Sequence, residues 1–372
     1  MFPFQKLLQT MRSIDKNNLA FLLLLVLICP IRSHSWLYAQ DVSSSKDDLP
    51  KPLFRSDEPL FLTLSMDIKT VIRDIAEKEN HPAEISYTDQ EGNEIKLPIK
   101  IKVRGNFRKD PNNCDFPPLR FNFSDNTVKN TIFGGQDKIK LITHCRTRND
   151  LYEQNVLKEY LVYKLYNLFT EESFPVRLVH LTYADTRGKI DTLKKMAFLI
   201  EPNQQMARRN DCEILEVEKI QQERTNRHKT TVMSVFQYMI GNTDWSVWAL
   251  HNVVLLKEDP KALPIVVPYD FDWCGLVNAP YAKPAELLDI ETVRTRLYRG
   301  FCRPDEELQL ALDEFRQRRE EIYQTCRSVP FLTEKEMSKI IKYMDEFFIT
   351  IENPKKVEVE FHRNCRTRER NY

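Results

Sequence analysis

The chain has 372 residues, 42% hydrophobic and 10% aromatic, enough to build a substantial core in one two-lobed domain or two modest ones. Its 55 Lys and Arg almost cancel 54 Asp and Glu, so the charge balance carries no nucleic-acid footprint. With only 8 glycines there is no GxGxxG run, and Gly188-Lys189 lacks the rest of a Walker-type loop, so a glycine-rich phosphate loop is not how this chain would hold a nucleotide.

Residues 1–40 read as a secretory leader. Lys6, Arg12 and Lys16 precede the apolar run Leu19–Cys29, which is shorter than the roughly 20 residues a membrane span needs, and cleavage is expected near Ala39. The reading is an exported chain, periplasmic or extracellular, with no membrane span after cleavage and an anchor only if the leader stays. Residues 41–52, rich in Ser and Pro, form a polar linker. Beyond the leader stand seven cysteines without a CxxC pair, so disulfides or free thiols are expected before zinc, with Cys114 and Cys145 placed to face each other.

From residue 53 to 201 the chain is strand-rich. Phe61–Leu64, Ile99–Val103, Leu119–Phe123 and Ile139–Ile142 alternate apolar and polar positions, as half-buried strands do. Asp150 and Glu153 resemble a capping box ahead of a helix with Leu157, Tyr160, Leu161, Leu165 and Leu168 on one face. Two more strands follow, Arg177–Tyr183 and Met196–Glu201, joined through a turn at Asp185–Gly188. A sheet with one long helix predicts an α+β, protein-kinase-like two-lobed fold: a strand-rich N-terminal lobe over 53–201 and a mostly helical C-terminal lobe over 202–353.

In the second half, Val232, Val235, Phe236, Met239 and Ile240 make an apolar helix face that Gly241 terminates. Two later stripes, Leu308 to Ile322 and Met337 to Phe348 behind a Thr333 cap, are packing faces. Residues 354–372 read as a charged, solvated tail.

The chemistry gathers between 232 and 272. Asp244 lies in a loop just past a helix end. Asn252 opens the strand Val253–Leu256, which turns through Glu258–Lys261 and returns as Ile265–Val267 to Asp270 and Asp272. A short hairpin therefore brings Asn252 and Asp270 together. Phosphoryl transfer needs little more than a divalent metal on carboxylate and amide oxygens and a carboxylate against the attacking hydroxyl. His251 would orient the loop.

Val235 to Asp244, then Asn252, then Pro268-Tyr269-Asp270-Phe271-Asp272 resemble the CotH kinase family, and more distantly the HipA-type kinases; Val103-Arg104-Gly105-Asn106 matches the Arg-Gly-Asn signature of CotH-like proteins. The similarity spans roughly residues 95 to 285. It implies ATP with Mg²⁺ or Mn²⁺, Asp244 as catalytic acid, Asn252 and Asp270 as metal ligands, and Asp272 as a second or supporting carboxylate. It further implies Arg104 and a strand lysine, Lys140 or Lys102, at the phosphates, with Glu201 at a hinge beside the adenine. Glu153 caps its helix or pairs with that lysine. The separation of Asp244 and Asn252 is eight positions, against five in ordinary protein kinases. The expected acceptor is a hydroxyl of a protein, such as Ser or Thr, or of a small molecule, and no nucleic acid is expected. Two other readings stay open: AMP transfer by the same site, and a non-catalytic cell-envelope scaffold whose acidic loop holds Ca²⁺ or none.

Overall fold

The computed structural model describes residues 49–76 and 79–367; the expected leader and most of the linker lie outside them. Seven strands open the fold: β1 (Leu60–Met66), β2 (His81–Thr88), β3 (Glu94–Val103), β4 (Leu119–Asn122), β5 (Lys138–Ile142), β6 (Val176–Asp185) and β7 (Leu193–Ile200). They close into a barrel in the order β1-β2-β3-β4-β5-β7-β6. Every neighbouring pair is antiparallel except the last, in which β1 and β6 run parallel with Leu60 opposite Val179. Closure leaves no exposed sheet edge, and the inward set, including Leu64, Ile85, Ile101, Phe121, Ile139 and Leu181, forms a core of its own.

Between the strands lie α1 (Ile68–Arg73), α2 (Asp125–Val128) and α3 (Leu151–Tyr166). The long α3 is buried almost all round, polar positions Asn155, Lys158 and Glu159 included. Its start is not a capping box. Asp150 makes no cap bond; Glu153 instead accepts from the Met196 amide at 2.6 Å, and both acids reach Lys195 Nζ, at 3.2 and 3.4 Å. These contacts bolt α3 to β7.

After the barrel come α4 (Asn203–Arg209), β8 (Glu213–Ile214), α5 (Arg227–Ile240), β9 (Val253–Lys257), β10 (Ile265–Pro268), α6 (Asp305–Gln317), α7 (Arg319–Ser328), α8 (Glu334–Ile351) and α9 (Pro354–Val357). The last three strands make a separate small sheet, ordered β10-β9-β8. One continuous core joins α3 and parts of β6 and β7 to this sheet and to α5 through α8.

The two-lobed, protein-kinase-like expectation is therefore overturned. The N-terminal strands form a closed seven-stranded barrel, not an open small-lobe sheet, and the rest is helices around a second sheet, not a separate helical lobe. The strand positions were largely visible in the alternation of apolar residues. The parallel β1–β6 seam was not, because alternation fixes which face a residue occupies and says nothing about which distant strand lies alongside.

The segment expected to be a charged tail folds back in part. Asn353 caps α9 through the amides of Lys355 and Lys356, a π-helical turn follows at Glu358–Arg363, and Cys365 is bonded to Cys302. The second disulfide joins Cys114 to Cys145, as their placement suggested. Cys212, Cys274 and Cys326 are free and buried. Among the described residues no helix is long and apolar enough to cross a membrane.

Candidate functional site

Helix α5 ends because Gly241 takes a left-handed φ of 66°, a conformation open to residues without a Cβ. A Cβ there would also run into the Tyr343 hydroxyl, so packing and backbone both favour glycine. The chain then enters a loop shaped by Asn242, whose Oδ1 accepts from the Asp244 amide at 3.0 Å and whose carbonyl accepts from Trp245 Nε1 at 3.2 Å. This turn presents the Asp244 carboxylate.

Two side chains hold that carboxylate. His251 Nε2 donates to Oδ1 at 2.8 Å, and Asn252 Nδ2 donates to Oδ2 at 2.9 Å and to the Asp244 carbonyl at 2.8 Å. The contact with Asp244 raises the His251 pKa above its ordinary value, against the opposing effect of burial. Asn252 and Asp270 both have left-handed backbones, φ 53° and 63°. They sit at the open end of the β9–β10 hairpin, where the Tyr269 amide donates to the Asn252 carbonyl at 3.0 Å. The Asp270 amide donates to Tyr163 Oη on α3 at 2.9 Å, which fixes the turn out of β10.

These residues line a cavity of about 590 Å³ that also takes in Arg104, Arg108, Lys140 and Asp272. The positive wall comes from the barrel. Gly105, at φ 90°, turns the chain after β3, while the Arg104 amide donates to the Pro118 carbonyl at 3.0 Å. Lys140 projects from the outside of β5, its Nζ 4.9 Å from the centre of the Tyr269 ring. Burial first, and the Arg104 charge second, lower the Lys140 pKa to about 8 against the pull of Asp270. Phe107 packs edge-on against Trp273 at 5.4 Å, closing one side.

Behind the cavity the acids crowd together. Asp272 is 8% exposed and accepts from Tyr281 Oη at 2.8 Å; burial, followed by the Asp270 charge, pushes its pKa up to about 7. Glu159 on α3 is 2% exposed, and burial, then Asp272 and Asp270, raise it well above the usual carboxylate range. One of its oxygens lacks a hydrogen-bond partner. Burial works against the charge of Arg108, but Tyr281, Asp272, Glu159 and Asp270 around it outweigh that and raise its pKa.

Six of the eight residues expected at the site thus meet in one cavity: Asp244, Asn252, Asp270, Asp272, Lys140 and Arg104. Lys102 and Glu201 do not line it. Lys102 lies opposite Arg120 on β4, and Arg120 opposite Lys140 on β5, so Lys102 is two strand spacings, about 10 Å, from Lys140. Glu201 is locked in a buried ion pair with Arg209 Nη2 at 3.1 Å, and its amide is taken by the Pro175 carbonyl at 3.0 Å. Both the carboxylate and the amide of Glu201 are therefore taken up within the protein. Glu153 faces Lys195 and not Lys140.

Sequence reasoning missed Arg108, Glu159, Tyr163 and Tyr281. Arg108 follows the Arg104-Gly105-Asn106 run and was within reach. Glu159 was hidden because α3 is buried on all faces, so helical periodicity placed it on an apparently solvent side.

The donor set suits Mg²⁺ in kind. Two carboxylates and an amide oxygen, with the remaining positions left to water and phosphate, are how that ion is commonly held, and the elevation of Asp272 by burial and Asp270, and of Glu159 by burial, Asp272 and Asp270, marks an excess of buried acid that a cation would relieve. Among the described residues, no group of three or more His, Cys, Asp or Glu side chains could by itself hold a metal ion. Comparison with protein-family models and with curated proteins finds no match.

Proposed function

We propose that this protein transfers a phosphoryl group from a metal-bound nucleoside triphosphate, ATP with Mg²⁺ or Mn²⁺, to a hydroxyl acceptor, as the CotH kinases it resembles in sequence do. The proposal rests on the site and not on the fold, since one chemistry recurs on unrelated architectures. The observation that carries it is the meeting of Asp244, Asn252, Asp270 and Asp272 with Arg104 and Lys140 in one cavity of about 590 Å³.

Asn252, Asp270 and Asp272 would hold the metal, which would supply positive charge to offset that of the phosphates. Lys140 and Arg104 supply positive charge from the barrel side. Asp244 accepts the proton of the attacking hydroxyl, and its two hydrogen bonds from His251 and Asn252 keep the carboxylate aimed. Tyr163 and Tyr281 hold Asp270 and Asp272 in place from behind. The two disulfides fit an exported protein, because such bonds persist in oxidising compartments.

The test is calorimetric titration of the purified protein with ATP in the presence and absence of Mg²⁺. Saturable, metal-dependent binding is expected, weakened by at least about tenfold in Asp270→Ala. Binding that ignores both the metal and the substitution would refute the reading. Mass spectrometry of a modified acceptor then separates a phosphate from an AMP adduct.

A further inference from the structure

A second cavity, about 550 Å³, lies on the other side of the Asp244 loop. Only Asp244 and His251 line both cavities. The carboxylate assigned to take the acceptor's proton therefore stands on the wall shared by a charged chamber and a second chamber of similar size. In-line transfer requires the attacking oxygen to reach the phosphorus opposite the leaving oxygen, so acceptor and nucleotide come from different sides, and this pair of chambers supplies two sides.

The geometry points to the second cavity as the acceptor site, selecting a polypeptide hydroxyl that has a bulky apolar side chain beside it. This inference rests on the phosphotransfer reading. Its walls are Trp245, Trp248, Ala249, Ala285 and Leu288. Several of its polar groups are already engaged within the protein. The Thr243 carbonyl accepts from Arg299, Ser246 Oγ accepts from the Ala249 amide at 3.2 Å, and Asp244 is bonded to His251 and Asn252. What is left for a ligand is mainly apolar surface, with Glu218 and Lys219 exposed at the rim.

A free sugar fits such walls poorly, because each ring hydroxyl taken from water needs a new partner. A polyanionic acceptor has no strong attraction either: Lys219 and Arg299 are offset by Glu218 and Asp244. A peptide whose Ser or Thr points at Asp244, with a neighbouring Leu or Phe between Trp248 and Leu288, buries apolar surface and leaves its backbone toward the open mouth. The loop carrying Ala285 and Leu288 extends the apolar character outward through Leu287, which is 70% exposed.

The experiment uses the full-length protein with Mg²⁺ and labelled ATP on an array of peptides bearing one central Ser or Thr, alongside an array of glycans. Peptides with Leu, Ile or Phe next to the hydroxyl should be labelled about tenfold more than those with Gly or Asp there. Trp248→Ala and Leu288→Ala should each erase most of that preference by raising KM for the peptide while kcat changes little. Flat labelling, a preference that survives both substitutions, labelling confined to glycans, or no labelling of any acceptor would each overturn the assignment. Calorimetric Mg-ATP binding is measured on the same variants. Retained binding with any of those adverse results sinks the acceptor assignment alone, and absent binding in the wild type sinks the phosphotransfer reading beneath it. A second substitution, Leu288→Met, keeps the wall apolar at similar volume and should leave the preference intact.

Discussion

The barrel and the small sheet use strands for opposite ends. Among the described residues, seven non-glycine positions have positive φ, and none lies in a barrel strand. Four of them, Lys219, Leu250, Asn252 and Asp270, line the two cavities, all on loops flanking β8, β9 and β10. A left-handed non-glycine residue costs about 1 kcal/mol or more, and less for Asn and Asp, so it persists where surrounding contacts hold it. The barrel is a regular, closed support with an apolar interior. The three-stranded sheet, whose β8 has only two residues, shares its core with α3 and α5, and the loops at its end carry the carboxylates that face one cavity. The difference places rigidity and chemistry on separate elements, with Lys140 and Arg104 reaching across from the support.

The sharpest way to break that division is Asp244→Asn. The substitution preserves size and the barrel, but removes the proton acceptor, and either His251 or Asn252 must give up its bond to the old carboxylate. We expect kcat to fall by about 10² to 10⁴ while Mg-ATP affinity, measured by calorimetry, stays within about threefold. An equal loss of affinity and turnover would mean that Asp244 serves the donor cavity and not the acceptor.

The complementary test strikes the support. Phe121 is fully buried in the barrel core, edge-on to Phe123 at 6.1 Å. Phe121→Ala should lower stability by about 3–5 kcal/mol in denaturant titrations. At 25 °C, while still folded, the variant should bind Mg-ATP as the wild type does. If affinity drops as far as it does in Asp270→Ala, barrel and site are mechanically coupled and the division above is wrong.

Much of the site was legible in sequence for a local reason. A helix stop at Gly241, a loop acid, and a hairpin returning Asp270 to Asn252 are all defined within 32 residues of chain, and short-range geometry follows from spacing. Lys140 was legible only as one of two strand lysines, because alternation puts Lys102 and Lys140 on the same outer face and cannot tell how far apart the strands lie. Glu201 falls outside the cavity, paired with Arg209 eight positions on at the far end of α4, and a buried ion pair of that kind leaves no periodic signature. Glu159 and Tyr163 needed the position of α3 against the hairpin, a long-range packing fact. The barrel closure is of the same kind: its seam joins residues more than a hundred positions apart.

The smallest expected effect lies on the seam between the two regions, and its two readouts move in opposite directions. Burial and Arg104 lower the Lys140 pKa from 10.5 to about 8, so its ammonium is lost from the folded protein as pH rises through about 8. Mg-ATP affinity should then decline, by up to about tenfold per pH unit, since a phosphate contact that depends on charge must take up a proton to form. Binding above pH 8 should show that uptake in buffers of different ionisation enthalpy. Stability takes the other sign. Between about 8 and 10.5 the unfolded chain binds more protons at this position than the folded one, so its contribution to stability rises with pH across that window. Lys140→Arg keeps its charge throughout and should remove the inflection in affinity, while Lys140→Met should give a flat profile at the weaker level. A wild-type affinity that holds constant from pH 7 to 10 would show that Lys140 does not touch the phosphates, and would leave Arg104 and Arg108 as the cations on that side of the cavity.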